Sequence, residues 1–126
     1  MKEKFQELYE NLKLDRNNSS WSKENSMTDR FKELESEITE IREALEKEDY
    51  ENLKDELGDA LWDLLFMIII AEEKGLFHGK EVIGGAITKL KRRKPYLFEG
   101  KKLSKEEESK MWLEIKKREK AGEYNE

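Results

Sequence analysis

The chain has 126 residues, of which 36% are hydrophobic and 44% are charged, with a net charge of −5. This length suits one domain with a small core, and the charged share is well above the ~25% of an ordinary globular protein. The absence of cysteine and the single histidine, His78, exclude disulfides, thiol catalysis and a multi-histidine metal site within one chain.

The spacing of apolar residues predicts an all-α protein, a bundle of four to five helices in a single domain over residues 1–126. A first helix covers about 1–17. The polar segment 15–29 is poor in helix-forming residues and is predicted to be a loop, in which Trp21 is an unexpected aromatic residue.

Two longer helices follow. The first runs over about 28–48 and carries an apolar seam, a 3-4 repeat of apolar residues centred on Ile38. The second covers about 50–74, ends at Gly75 and is apolar on most sides between residues 61 and 71. A helix that is apolar all round must be buried on all sides, so this pattern predicts an oligomer whose interface includes part of that helix.

Two further helices are predicted over about 80–93, ending before Pro95, and over 104–121. Residues 122–126 are expected to be a frayed tail. The N-terminus lacks the apolar segment of a signal peptide, and no stretch approaches the ~20 apolar residues of a membrane span. We therefore expect a cytoplasmic protein with no membrane partner.

Acidic residues are concentrated on the two long helices. Residues 33–63 hold 13 acids and three bases, a net charge of −10. At about 100° per residue, Glu37 and Glu40 lie about 100° and 160° from Ile38, the centre of the first seam. The first helix therefore carries a carboxylate pair beside its apolar residues.

The next helix repeats this arrangement. Glu56 and Asp59 lie about 100° and 160° from Leu57, which we take as the centre of its seam. If the two seams pack antiparallel, the four carboxylates converge on one groove, where they repel one another unless cations lie between them. Mg²⁺ and Mn²⁺ prefer such oxygen ligands. The alternative interpretation is a solvated charged face.

These acidic pairs form a pattern that resembles the MazG family of all-α nucleoside triphosphate pyrophosphohydrolases. The family motif EExxE followed by ExxD reads here Ser36-Glu37-Ile38-Thr39-Glu40 and Glu56-Leu57-Gly58-Asp59, so Ser36 replaces the first glutamate. The resemblance covers about residues 18–120. Four further blocks are similar to family segments: WSKENS at 21–26, AEEKGLF at 71–77, KLKRRKPYLF at 89–98 and WLEIKKREK at 112–120.

The resemblance implies a fold, a metal and a reaction. It implies that Glu37, Glu40, Glu56 and Asp59 are catalytic residues that bind Mg²⁺, with Mn²⁺ as a substitute. The implied reaction converts a nucleoside triphosphate and water to the monophosphate and pyrophosphate, with standard or altered NTPs and dNTPs as substrates in a house-cleaning role. A metal ion can orient the triphosphate and activate water, so no nucleophilic side chain is needed. Family members are dimers or dimers of dimers.

The basic residues Lys89, Arg92 and Arg93 share one helix face because they are three and four positions apart. They are candidates to bind the β- and γ-phosphates. The alternative is a solvated basic end of a helix, which the helix dipole favours. The net charge of −5 and the lack of a second basic patch argue against nucleic acid as the partner of this run.

Three more residues are candidates for substrate binding. Trp21 is either a base-stacking platform or a hydrophobic plug. Trp62 is a core, interface or base-pocket residue. Asp63 follows Asp59 by one turn and is a candidate ligand of a second ion or hydrogen-bond partner of a sugar.

Two other functions stay open at this point. One is a non-catalytic helical interaction module whose acidic face binds a basic partner. The other is a related dUTP or phosphoribosyl-ATP pyrophosphatase, although the tryptophan segment and the RRKPYLF block favour MazG. Release of pyrophosphate from mixed NTPs distinguishes the enzyme from the module.

Overall fold

The computed structural model of the protein describes residues 1–124, and every regular element in that range is helical. The prediction of an all-α fold is confirmed, with six helices in place of four to five. No helix among the described residues combines the length and hydropathy needed to cross a membrane. The helices are α1 (Lys2–Asn18), α2 (Ser20–Glu24), α3 (Met27–Glu46), α4 (Tyr50–Glu73), α5 (Gly79–Arg93) and α6 (Lys105–Lys120), with a 3₁₀ turn at Pro95–Phe98.

The additional helix, α2, lies inside the segment predicted to be a loop, so that prediction is wrong. The Ser19 side chain accepts a hydrogen bond from the Ser22 backbone N–H at 3.3 Å and starts the helix. The Arg16 guanidinium then binds the carbonyl oxygens of Ser22 and Asn25. A buried contact from α1 therefore orders a segment whose own composition is too polar to predict a helix.

Short caps define the hairpin of α3 and α4. A reciprocal capping box of Ser26 and Asp29 starts α3, and Asp49 accepts a hydrogen bond from a backbone N–H to start α4. Between the helices, Glu48 has φ +55°, a backbone conformation that favours glycine. The connection is so short that α3 and α4 run antiparallel.

The chain divides into two compact units, Met1–Gly79 and a second that begins at Lys80. In the first unit, α1 packs on the second half of α4. The prediction of one domain over residues 1–126 stays a prediction. Five buried residues form the core, namely Leu12, Leu65, Phe66, Ile69 and Ile70, and partly buried Phe5, Leu8, Tyr9, Met27 and Ile68 pack around them.

The predicted seams do not form the contact between α3 and α4. Ile38 is 50% exposed and Leu57 is 51% exposed. The helices face each other through residues about 100° away around each helix, where Ala44 and Glu56 are buried. The prediction that Ile38 and Leu57 are the centres of the buried seams is wrong, because a small side chain and a carboxylate are the buried groups at these levels of the two helices.

The displaced seams leave an apolar face on the first unit. On both helices the apolar seam is rotated in the same sense from the side that faces the other helix. Because the helices are antiparallel, both seams lie on the same side of the hairpin. We call this surface the apolar face. It comprises Phe31, Ile38 and Leu45 of α3 and Leu57, Leu61 and Leu64 of α4, each at least one-third exposed.

The second unit contains most of α5, the 3₁₀ turn and α6. Buried Tyr96 donates a hydrogen bond from its hydroxyl to Glu108, which ties the turn to the start of α6. Helix α6 begins with a capping box and ends in a turn over residues 121–124, where Gly122 has φ +79°. The rest of the predicted frayed tail, residues 125–126, lies outside the described residues.

Candidate metal centre and neighbouring candidate residues

Helices α3 and α4 bring three of the predicted carboxylates together. Carboxylate oxygens of Glu37, Glu56 and Asp59 all lie within 4.8 Å of one another. Glu56 is buried, Glu37 is half-buried and Asp59 is exposed, so the cluster extends from the helix interface to solvent. Glu40 joins it through hydrogen bonds with Glu37 and Glu56. The spacing of three within each pair places both acids of a helix on one side.

The cluster is electrostatically frustrated without a cation. Burial, together with hydrogen bonds to Glu56 and Glu40, raises the pKa of Glu37 to about 8. A hydrogen bond with Glu40 raises the pKa of Glu56 as well. Bonds from Glu56 and Glu37 lower the pKa of Glu40, which is the acceptor of the group. Protons therefore do part of the neutralisation that a metal ion would otherwise do.

Two carboxylate oxygens in the cluster lack any hydrogen-bond partner within residues 1–124. Glu37 Oε2 and Glu56 Oε2 are both buried and accept no hydrogen bond. A buried, unsatisfied carboxylate oxygen is costly. A hard divalent cation satisfies such oxygens directly, and Mg²⁺ and Mn²⁺ are the ions that this donor set suits. The residues present therefore fit a magnesium-type site.

Asp63 lies one turn beyond Asp59 but is already paired. Its Oδ1 is 3.2 Å from Arg30 Nη1, and both side chains are buried. Burial raises the pKa of Asp63, and the Arg30 guanidinium opposes that change. The sequence interpretation missed Arg30, although it lies two turns before Glu37 on the same helix. The predicted role of Asp63 toward a sugar or a second ion stays a prediction.

The two tryptophan candidates are both accessible. Trp21 is 64% exposed, so it is not a hydrophobic plug. Its ring lies 5.1 Å from the Arg30 guanidinium, which holds the ring against the first unit. Trp62 on α4 is 45% exposed and is not a core residue. Roles for both in base binding stay predictions.

The basic candidates lie on the last turns of α5, in the second unit. Arg92 Nη2 is 2.7 Å from Glu119 Oε2, and Arg93 Nη2 is 2.9 Å from Glu119 Oε1. These arginines are mostly buried, so they are not the solvated helix end that was the alternative prediction, whereas Lys89 is exposed. A groove of about 580 Å³ is lined by all three cations and by Trp112.

A family profile described as the MazG nucleotide pyrophosphohydrolase domain matches residues 25–98, more than half of the chain. The chain belongs to this family. The resemblance predicted from the acidic motifs is therefore confirmed: the family is the one described as nucleotide pyrophosphohydrolases. The matched segment contains all four clustered carboxylates and the three candidate phosphate-binding residues of α5.

Two relatives and one solved structure show the extent of the similarity. The nucleoside triphosphate pyrophosphohydrolase of Escherichia coli K12 is 30% identical over 91 residues, covering 72% of this chain and 35% of that protein. The nucleoside triphosphate pyrophosphohydrolase/pyrophosphatase MazG of Thermotoga maritima is 37% identical over 87 residues, covering 69% and 33%. A MazG-related protein from Thermotoga maritima superposes with a TM-score of 0.84 at 33% identity, covering 89% of this MazG domain and 98% of that chain. This chain thus spans about a third of those two pyrophosphohydrolases.

Proposed function

We propose that this MazG domain is a Mg²⁺-dependent enzyme that hydrolyses nucleoside triphosphates of the cytoplasmic pool to monophosphates and pyrophosphate. The observation that carries the proposal is a pair of buried carboxylate oxygens, Glu37 Oε2 and Glu56 Oε2, that have no partner among the described residues. They belong to a cluster that reaches solvent at Asp59. Standard or altered NTPs and dNTPs are the proposed substrates, in a house-cleaning role.

The proposed metal ligands are Glu37, Glu40, Glu56 and Asp59. When bound, Mg²⁺ supplies neutralisation of the triphosphate charge and activation of water for attack on the α-phosphorus. The rigid contact between α3 and α4 fixes the carboxylates before substrate arrives, so little reorganisation is required in the reaction. Buried Arg30 and Asp63 lock the two helices in this register.

Charge neutralisation of the outer phosphates is the proposed role of Lys89, Arg92 and Arg93. Phosphoryl transfer depends mainly on positioning and electrostatics, and the leaving pyrophosphate carries most of the negative charge. Arginine suits this role because its planar group donates two parallel hydrogen bonds to phosphate oxygens. The proposed platform for the base is Trp21, whose ring is held by Arg30 and remains largely exposed.

We also propose that the active form is a homodimer or a dimer of dimers in which the apolar face is covered. Its six large side chains are each 37–52% exposed. Full burial of such a side chain is worth about 1.5–3 kcal/mol. Light scattering at micromolar protein concentration tests the oligomeric state. A stable, active species at the monomer mass of 15.1 kDa would contradict it.

Pyrophosphate release from a mixture of NTPs and dNTPs with Mg²⁺ tests the reaction. We expect release that stops with EDTA and falls about 100-fold or more in Glu56→Gln, since ligand loss exceeds the 10–100-fold cost of removing a supporting residue. Glu35→Gln is the matched control, because Glu35 is exposed on α3 about 160° around the helix from Glu37. Absence of release from every nucleotide would favour the interaction module.

A further inference from the structure

Glu119 makes an unusually complete contact with the two arginines at the end of α5. Its Oε2 lies 2.7 Å from Arg92 Nε and 3.2 Å from Arg93 Nε, and its Oε1 lies 2.9 Å from Arg93 Nη2. The three side chains are only 15–19% exposed. One carboxylate thus occupies the donor edges of two guanidinium groups.

Those donor edges are the ones with which arginine binds phosphate. A carboxylate and a phosphate present similar pairs of anionic oxygens, and both accept two parallel N–H bonds from one guanidinium. Helix α6 therefore places an internal anion on the groups that the proposed function assigns to the outer phosphates.

Aromatic rings hold the guanidinium groups independently of Glu119. The Arg93 guanidinium lies 4.8 Å from the Trp112 ring, and the Arg92 guanidinium lies 5.1 Å from the Tyr124 ring. Such contacts fix the planes of both groups. Loss of the Glu119 charge therefore leaves the two arginines oriented and releases the N–H groups that Glu119 occupies.

We propose that Glu119 is an internal competitor of the substrate phosphates for Arg92 and Arg93, and so sets the affinity of this site for polyphosphate. The proposal rests on the proposed function, in which these arginines bind the outer phosphates. The apparent dissociation constant equals the intrinsic constant divided by the fraction of open sites, so Glu119 weakens substrate and pyrophosphate binding by the same factor. It thereby limits retention of the pyrophosphate product.

The Glu119 carboxyl group is ionised at every physiological pH. Hydrogen bonds from Arg93, supported by those from Arg92, lower the pKa of Glu119 to about 2. The residue is therefore anionic whenever the protein is folded near neutrality, and only a ligand with more charge and more oxygens displaces it. Lys89, exposed on the same groove, adds one more cation for such a ligand.

Calorimetric titration with inorganic tripolyphosphate and with pyrophosphate, in EDTA at fixed ionic strength, tests this competition without hydrolysis. Glu119→Gln keeps the side-chain size and removes the charge. We expect it to lower the dissociation constant of both ligands about tenfold, as for a site that is closed about 90% of the time. Glu119→Asp should lie between wild type and Glu119→Gln.

Glu114→Gln is the matched control, because Glu114 is an exposed acid on the same helix that pairs with Arg118 at 2.9 Å. It changes net charge equally and should leave the dissociation constant unchanged. Arg93→Ala in the Glu119→Gln background should remove the gain. Unchanged or weaker binding by Glu119→Gln would overturn the proposal, because a merely structural ion pair loosens the site when it is lost.

The outcome is separable from the proposed enzymatic function. Tighter tripolyphosphate binding by Glu119→Gln supports the competition even if no nucleotide is hydrolysed. Conversely, wild type could hydrolyse nucleotides while no variant binds tripolyphosphate. That result would overturn the proposed competition but would not contradict the proposed metal centre.

Discussion

Replacing Glu56 with glutamine should make the metal-free protein more stable while removing its response to Mg²⁺. Glu56 is the most buried of the clustered carboxylates, and one of its oxygens has no hydrogen-bond partner in the described part of the chain. Its charge is therefore unfavourable unless a cation is bound. The substitution retains size and one oxygen, so packing between α3 and α4 should persist.

The expected gain follows from the separation of the oxygens. At the 4.8 Å limit for the cluster, two full charges repel by about 1 kcal/mol in water and about 3.5 kcal/mol at an effective dielectric constant of 20. Protonation of Glu37, whose pKa is raised to about 8, already relieves part of this repulsion at neutral pH. We therefore expect a gain of about 1 kcal/mol, or about 4 °C in Tm.

Thermal unfolding with EDTA and with Mg²⁺ measures both effects. Mg²⁺ at about 100 times its dissociation constant should raise the free energy of unfolding of wild type by about 2.7 kcal/mol. Glu56→Gln should show no such rise. Glu35→Gln should respond to Mg²⁺ like wild type. A Glu56→Gln protein that is less stable than wild type in EDTA, and still stabilised by Mg²⁺, would refute the metal-site reasoning.

The metal-free protein should also depend on pH in a characteristic direction. A carboxyl group whose pKa is higher in the folded state than in the unfolded state binds more protons when folded. The contribution of Glu37 to the free energy of unfolding is therefore complete below pH ~4.5. It is lost as the pH rises through about 8. Unfolding in EDTA across this range should show the decline in wild type and a smaller decline in Glu56→Gln.

Three further substitutions test separate parts of the structure. Glu48→Gly should stabilise the protein by about 0.5–1 kcal/mol in urea unfolding, because Glu48 has φ +55°; destabilisation would contradict a strained left-handed conformation at this position. Arg30→Met should cost about 3–5 kcal/mol by leaving Asp63 buried without its partner, most of it recovered with Asp63→Asn, and a loss below ~1 kcal/mol would exclude an essential pair. Trp21→Ala should raise KM for nucleotides at least about fivefold, given ~1–3 kcal/mol per stacked base, without changing tripolyphosphate binding; an unchanged KM would remove Trp21 from the base site.

Helical periodicity and motif spacing predict much of this molecule. The bounds of α3 and α4 agree within two residues with those expected, since their caps and stop signals are local. The carboxylate pairs converge because a spacing of three keeps two acids on one side of a helix, whichever face that helix buries. Family motifs then identify the cluster.

The contacts that the sequence did not predict are all tertiary. Arg30 and Glu119 each neutralise a charge on another helix, and neither has a local pattern that indicates its partner. Helix α2 depends on Arg16, which reaches across from α1. The seam centres of α3 and α4 are not predicted correctly, because large aliphatic residues are taken as core, whereas Ile38 and Leu57 lie on the exposed apolar face.

Hydrolysis of an NTP in ¹⁸O-water, with the products separated and analysed by mass spectrometry, tests the central claim most directly. Attack at the α-phosphorus places the solvent oxygen in the nucleoside monophosphate. We predict one ¹⁸O in the monophosphate, unlabelled pyrophosphate, and no products in EDTA. Label in orthophosphate alone, or in pyrophosphate with unlabelled monophosphate, would contradict the proposed reaction.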